Sequence, residues 1–257
     1  MTRIFLTVCL FSFILCNVDY YSYEKIDETL HAWQDEFGLN SHPSAHYSEF
    51  GIIYHLDTLG YSSTDSLPIF GVKLSANADV DEAEPRVLIV GQCHAEEIYG
   101  VEIAMEIIDQ FLHPEEYSQN RPKLQRGLYN TELWVIPTIN PEGLRVVHGY
   151  VDATGNEIKD ATFRKNKTDV FHHGTNTLGM EGVFDYLPGV GHDIDGVDLN
   201  RNFDFNWYFG DALYQETESC NSGYLDHYDY YRGLHPSSES EVQIIMDLAR
   251  EHNFVLS

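Results

Sequence analysis

Basic residues are scarce in this chain. Its 257 residues include 15 Lys and Arg against 41 Asp and Glu, a net charge of −26. The acids are spread along the sequence, with one small cluster at Asp79–Glu84. Such a charge repels phosphate backbones and excludes nucleic acid as a partner. It reads first as a heavily solvated surface suited to a salty medium, and second as a preference for basic substrates. Cysteine is also rare, with four in all. Cys9 and Cys16 lie in or beside an N-terminal apolar run, which leaves Cys93 and Cys220, and two cysteines do not make a disulfide framework. Whether they bond is open. No internal repeat is visible, which argues against a solenoid or a propeller. Long hydrophobic runs are missing too. The apolar run Ile4–Leu15 (IFLTVCLFSFIL) falls short of the roughly 20 residues that span a bilayer.

That run follows Arg3 and fits the h-region of a secretory signal peptide. The expected organisation is a signal peptide over residues 1–18 and one domain over 19–257, with a secreted or periplasmic location and no stable membrane insertion. Cys16 suggests lipid attachment, but Phe13-Ile14-Leu15 lacks the small residue such a site needs, so soluble export is favoured. With 43% hydrophobic and 13% aromatic residues, the chain can bury a sizeable core.

Apolar spacing predicts a helix over Tyr23–Phe37, strands over Phe50–Leu56 and Ile69–Leu74, and a buried strand over Arg86–Gly91. A helix over Glu96–Leu112 and a buried strand over Glu132–Ile139 follow, the strand closed by a turn at Asn140-Pro141-Glu142-Gly143. Tyr150–Asp195 reads as mostly loop. Ser238 opens a last helix through a capping box with Glu241, Asn253 ends it, and Phe254–Ser257 begins another strand. The fold class is therefore α/β, a mixed, mostly parallel sheet with helices on both faces.

The chemistry gathers in three places. His94 and Glu97 stand three apart where a buried strand gives way to a helix, and an imidazole and a carboxylate so spaced can converge on one cation. Alone, that pattern is weak, because Glu is common at helix starts. In Gly196-Val197-Asp198-Leu199-Asn200-Arg201-Asn202-Phe203, the Arg201 fork matches a carboxylate. Arg164, in Phe163-Arg164-Lys165-Asn166, could steady an oxyanion near a metal. Each taken singly is equally an ordinary surface stretch.

In order along the chain, His94/Glu97, Asn140-Pro141-Glu142-Gly143, Arg164-Lys165, Asn200-Arg201-Asn202-Phe203 and Tyr231-Arg232-Gly233 leading to Glu241 resemble the zinc metallocarboxypeptidases of carboxypeptidase A type. The resemblance covers most of residues 45–257. It implies hydrolysis of C-terminal residues from peptides, with Zn2+ as cofactor and peptide or protein C-termini as partners. It makes His94 and Glu97 zinc ligands, Arg164 the oxyanion stabiliser, and Asn200 with Arg201 the binding pair for the terminal carboxylate. Around His94 it looks closer to the regulatory and bacterial branch than to the digestive one. Glu96 departs from the pattern, standing where digestive members often carry Arg. The stretch Thr168–Asp195 looks long and suggests a loop at the cleft rim.

The His₂Glu set of that family needs a second His. The resemblance puts it just past Ser257, with the general-base Glu further on. By that reading residues 19–257 are part of a catalytic domain, carboxypeptidase-like and incomplete at its C-terminus, and inactive alone. His172, His173, His192 and His235 are the weaker candidates for the missing ligand. The alternative functions are an N-acyl amino acid deacylase of aspartoacylase type, cleavage of cell-wall peptides, or a non-catalytic module that binds peptide termini.

Overall fold

The computed structural model describes residues 19–39, 51–117, 121–168, 196–205, 207 and 232–257. The signal segment, Cys9, Cys16, Cys220, His172, His173, His192, Tyr231 and most of the presumed rim loop lie outside these residues.

Helix α1 (Tyr23–Phe37) starts where the Ser22 hydroxyl accepts from Lys25 N, and it buries Tyr23, Ile26, Leu30, Trp33 and Phe37 at helical spacing. Four strands follow: β1 (Tyr54–Tyr61), β2 (Pro68–Leu74), β3 (Arg86–Gln92) and β4 (Glu132–Thr138). Their order is β1-β2-β4-β3. β1 with β2 and β2 with β4 are antiparallel, whereas β4 with β3 is parallel. The sheet is mixed as expected, with its parallel part confined to β3, β4 and a parallel bridge from Val87 to Leu256. Between β3 and β4 run α2 (Tyr99–Leu112) and α3 (Arg121–Asn130), and α4 (Pro141–His148) follows β4. A small hairpin, β5 (Tyr150–Val151) with β6 (Glu157–Ile158), falls where loop was expected. The short helix α5 (Leu199–Asn202) and the long α6 (Ser240–His252) complete the order.

β4 is buried along its whole length, and its side chains alternate between two cores. Leu133 and Val135 join Val72, Leu74, the α1 stripe and Val101, Met105 and Ile108 of α2. Trp134 and Ile136 join Ile69, Leu88 and α6 residues Val242, Ile245 and Leu248. Helices thus cover both faces, and each large side chain buried there contributes about 1.5–3 kcal/mol before entropy is counted.

Four expectations need correcting. β1 begins at Tyr54, with residues 51–53 outside it and Phe50 outside the described residues, and it runs on through half-exposed Asp57–Tyr61, where edge position and a register shift between Thr58 and Gly60 removed the apolar signal. α2 starts at Tyr99, because His94–Ile98 forms a turn of its own. Asn140-Pro141 is an N-cap followed by proline in the first helical turn. The Ser238 capping box does not form. Ser238 Oγ donates to the Glu239 carboxylate and accepts from Asn202, so Glu239 takes the N-cap position. Asn253 does end α6, in the left-handed conformation.

Two glycines let α2 approach the sheet end. A Cβ on Gly100 would overlap the Gly91 carbonyl, and one on Gly91 would lie 2.5 Å from the Pro137 carbonyl oxygen. Elsewhere the interior holds acids. Glu132 accepts from Arg86 at 2.6 Å and pairs with Lys73 at 3.2 Å. Glu241, fully buried, accepts from the Ser63 amide at 3.2 Å and hydroxyl at 2.9 Å. Burial pushes its carboxyl from 4.5 up to about 7 in spite of those donors. A raised folded pKa means stability is fully present below the unfolded value and is lost as pH rises through the folded one. The Glu241→Gln variant should match the native chain near pH 4. It should gain on it by about 3 kcal/mol once pH passes 7, read from urea midpoints at the two pH values. A difference that stays flat with pH rejects this account.

Candidate metal and carboxylate-binding site

Parallel pairing sets Gln92 of β3 opposite Thr138 of β4, so both strands end at one edge of the sheet. Ligand sites in such sheets form beyond the carboxyl ends of the strands. A buried amide network shapes this end. Thr138 Oγ1 donates to Gln92 Oε1 at 2.6 Å, and Gln92 Nε2 donates to the Ala95 carbonyl at 2.7 Å. Asn140 is fully buried, and its Nδ2 donates to the Cys93 carbonyl at 3.2 Å and to the Lys165 carbonyl at 2.9 Å. Its Oδ1 accepts from Gly143 N at 3.0 Å and caps α4. Ala95 N donates to the Arg164 carbonyl at 2.9 Å. The backbones that carry His94 and Arg164 are therefore locked together by buried amides and one main-chain hydrogen bond, independently of the His94 and Arg164 side chains.

Side chains converge on this frame. His94 Nδ1 lies 3.1 Å from Glu97 Oε1, and His94 Nε2 lies 3.1 Å from Asp198 Oδ1. Arg164 Nη2 is 2.9 Å from His94 Nε2 and 3.4 Å from Asp198 Oδ2, while Nη1 is 3.0 Å from Glu96 Oε1. Burial pulls the His94 pKa down, but the buried Asp198 carboxylate outweighs it and holds the imidazole above its ordinary value. Arg164 stays firmly protonated, because Asp198 and Glu96 outweigh its own burial.

Asp198 precedes α5, accepts from Asn200 N at 3.0 Å, and so starts the turn that presents Asn200 and Arg201. Asn200 is exposed and Arg201 half-buried, with Arg201 Nη1 donating to the Asn200 carbonyl at 3.3 Å. Both Arg201 and Arg164 lower the Cys93 pKa electrostatically, so the two guanidinium charges act on the residue next to His94. Two fully buried asparagines brace the turn. Asn166 Oδ1 accepts from Val197 N at 2.8 Å, and Asn202 Nδ2 donates to the carbonyls of Arg232 at 2.9 Å and His235 at 3.2 Å.

Of the five residues singled out from sequence, His94, Glu97 and Arg164 lie against one another, while Asn200 and Arg201 follow Asp198, the His94 partner, on the short helix α5. Sequence reasoning gave no role to Asp198, to the Asn140 amide, or to the Glu96–Arg164 pair. For Asp198 a signal existed, an acid three residues before an arginine in a short polar turn.

The donors suit zinc in kind and spacing. Tetrahedral bonds of 2.0–2.1 Å put neighbouring ligand atoms about 3.3 Å apart, close to the 3.1 Å between His94 Nδ1 and Glu97 Oε1. Asp198 on the far nitrogen sits where an outer carboxylate would steady the ring if Nδ1 held a metal. Among the described residues no three His, Cys, Asp or Glu side chains form a metal site. His235 does not complete one; it is exposed, with Nδ1 3.1 Å from the Pro236 carbonyl. Cys93 has a free thiol pushed up to about 12 by burial, which makes it a poor ligand and a poor nucleophile.

Known proteins resemble this chain in sequence and in fold. A zinc carboxypeptidase of Saccharothrix mutabilis subsp. capreolus is 32% identical over 136 residues, 53% of this chain and 24% of that protein. The carboxypeptidase N catalytic chain of Rattus norvegicus is 29% identical over 175 residues, 68% of this chain and 30% of that one. The chain thus spans under a third of either relative. The crystal structure of carboxypeptidase A from Helicoverpa armigera superimposes with a TM-score of 0.59 at 22% identity, over 91% of this chain and 43% of that one, which shows a shared fold. The sequence profile described as zinc carboxypeptidase matches residues 45–257, most of the sequence, and on that ground the chain belongs to the zinc carboxypeptidase family.

Proposed function

We propose that this chain supplies the metal-holding and carboxylate-binding half of a peptidase that removes residues from peptide C-termini. The observation that carries the reading is one imidazole facing two carboxylates, Glu97 on one nitrogen and Asp198 on the other, with Arg164 against its edge. Zn2+ is the expected cofactor of the family. Bound there, it supplies Lewis acidity toward the scissile carbonyl and the attacking water.

His94 and Glu97 are the protein donors in this reading, and Asp198 fixes the ring so that Nδ1 points outward with its lone pair. Arg164 faces the negative charge that develops on the carbonyl oxygen, as a protonated donor already oriented by the protein. Arg201 and Asn200 receive the free α-carboxylate, which sets the scissile bond at a fixed distance from the chain end and makes the enzyme an exopeptidase. The proton acceptor for water is none of these six residues. Export of the protein is proposed on the apolar segment Ile4–Leu15. No helix among the described residues is long and apolar enough to cross a membrane.

Two measurements on the full-length protein test this. Asp198→Asn should weaken zinc binding about 10- to 100-fold, read by competition with a chromophoric chelator. Unchanged affinity removes Asp198 from the site. Arg201→Ala should raise KM on the order of 100-fold for peptides with free C-termini. If KM holds steady, another group binds the carboxylate.

A further inference from the structure

We infer that Glu96 is the positioning residue that holds the Arg164 guanidinium in place and off the metal donor Glu97. The inference rests on the role given to Arg164 above. Glu96 lies between His94 and Glu97, on the segment whose backbone is tied to Arg164 through Ala95 N and the Arg164 carbonyl at 2.9 Å. Its Oε1 is 3.0 Å from Arg164 Nη1. Its Oε2 is buried with no hydrogen-bond partner among the described residues. A structural ion pair would satisfy both oxygens, and a buried polar atom left unpaired asks for an explanation. Here Glu96 spends its hydrogen bonding on one end of one guanidinium.

The other end of the fork faces Asp198, with Nη2 3.4 Å from Asp198 Oδ2 and close against the edge of the His94 ring. An arginine gripped at both ends loses the freedom of its long side chain, and a group aimed at a developing charge must be so fixed. The competing acceptor is close. Nη1 is already 3.9 Å from Glu97 Oε1, beyond the 3.0 Å it keeps from Glu96. Without Glu96, Glu97 remains a carboxylate within 3.9 Å of Nη1, and pairing there would take the fork from its post and occupy a metal donor. A surface salt bridge of little consequence is the alternative, and typical exposed pairs contribute almost nothing. The half-burial of both partners and the nearby metal donor speak against it here.

The test uses the full-length zinc-loaded protein and the variants Glu96→Ala, Glu96→Gln, Arg164→Ala and the double variant Glu96→Ala/Arg164→Ala. Glu96→Ala should lower kcat about tenfold with KM within twofold, since a misplaced group costs the chemical step. Glu96→Gln, which keeps an oxygen acceptor, should recover most of that loss. Zinc affinity by chelator competition should fall several-fold in Glu96→Ala and return in the double variant, where no guanidinium remains to pair with Glu97. Adding Glu96→Ala to Arg164→Ala should lower kcat no further. If Glu96→Ala keeps native kcat and zinc affinity while Arg164→Ala is impaired, the positioning role is wrong and the Arg164 assignment stands. If Arg164→Ala itself keeps native kcat, both fall together.

Discussion

One buried side-chain amide, that of Asn140, sets the geometry on which the site depends. With no access to solvent it ties the backbone beside His94 to the backbone beside Arg164, and its oxygen starts α4. An amide can do this because it offers two donors and an acceptor in one plane. Its position is set in turn by the parallel register of β3 and β4, which makes Gln92 and Thr138 neighbours. The order of dependence therefore runs from strand pairing to buried amides to site residues, and the amides left at the strand ends provide the rigid shell that a catalytic constellation requires.

The elements that sequence made legible are those with a strong apolar pattern. α1 and β4 lie where that pattern puts them, because burial itself enforces it. β3 lies there too, but among the described residues it is an edge strand and only partly buried, with Val90 exposed, so the expectation of burial on both faces does not hold for it. β1 was harder, since an edge strand carries polar residues such as Asp57 and Thr58 that look like a turn. α3 was missed, for Leu128 is its one fully described core anchor and a proline sits near its start. Asn140-Pro141 signals a turn and a helix start equally well, and only packing decides. At the site, residues 94, 97, 164, 200 and 201 stood out only through the order of several motifs along the chain, since each motif alone reads equally as an ordinary surface stretch. The link from His94 to Asp198 spans 104 positions and is created by tertiary structure, so local spacing could not show it.

The acid surplus is only partly a solvated coat. Glu132, Glu142, Glu239, Glu241 and Asp198 are all buried. Glu132 is balanced by Lys73 and Arg86, and burial, which alone would raise its pKa, is outweighed so that it stays below the usual range. Glu142 is met instead by the Ser62 hydroxyl and by the amides of Thr64 at 2.9 Å and Asp65 at 2.6 Å. Glu239 is met by the side chains of Asn166 and Thr168. With few cations to use, the chain satisfies interior carboxylates with turn amides and hydroxyls. That links the β1–β2 turn to α4 and α6, elements distant in sequence.

The backbone contact between Gly91 and Gly100 bears on how this protein can vary. A methyl group at either position has nowhere to go but into main-chain atoms, so the strand and helix would have to separate. The turn that spans them holds His94, Glu96 and Glu97. An alanine at one of these glycines would therefore silence the site while leaving each of its functional side chains intact, and a comparison restricted to ligand residues would not register the loss.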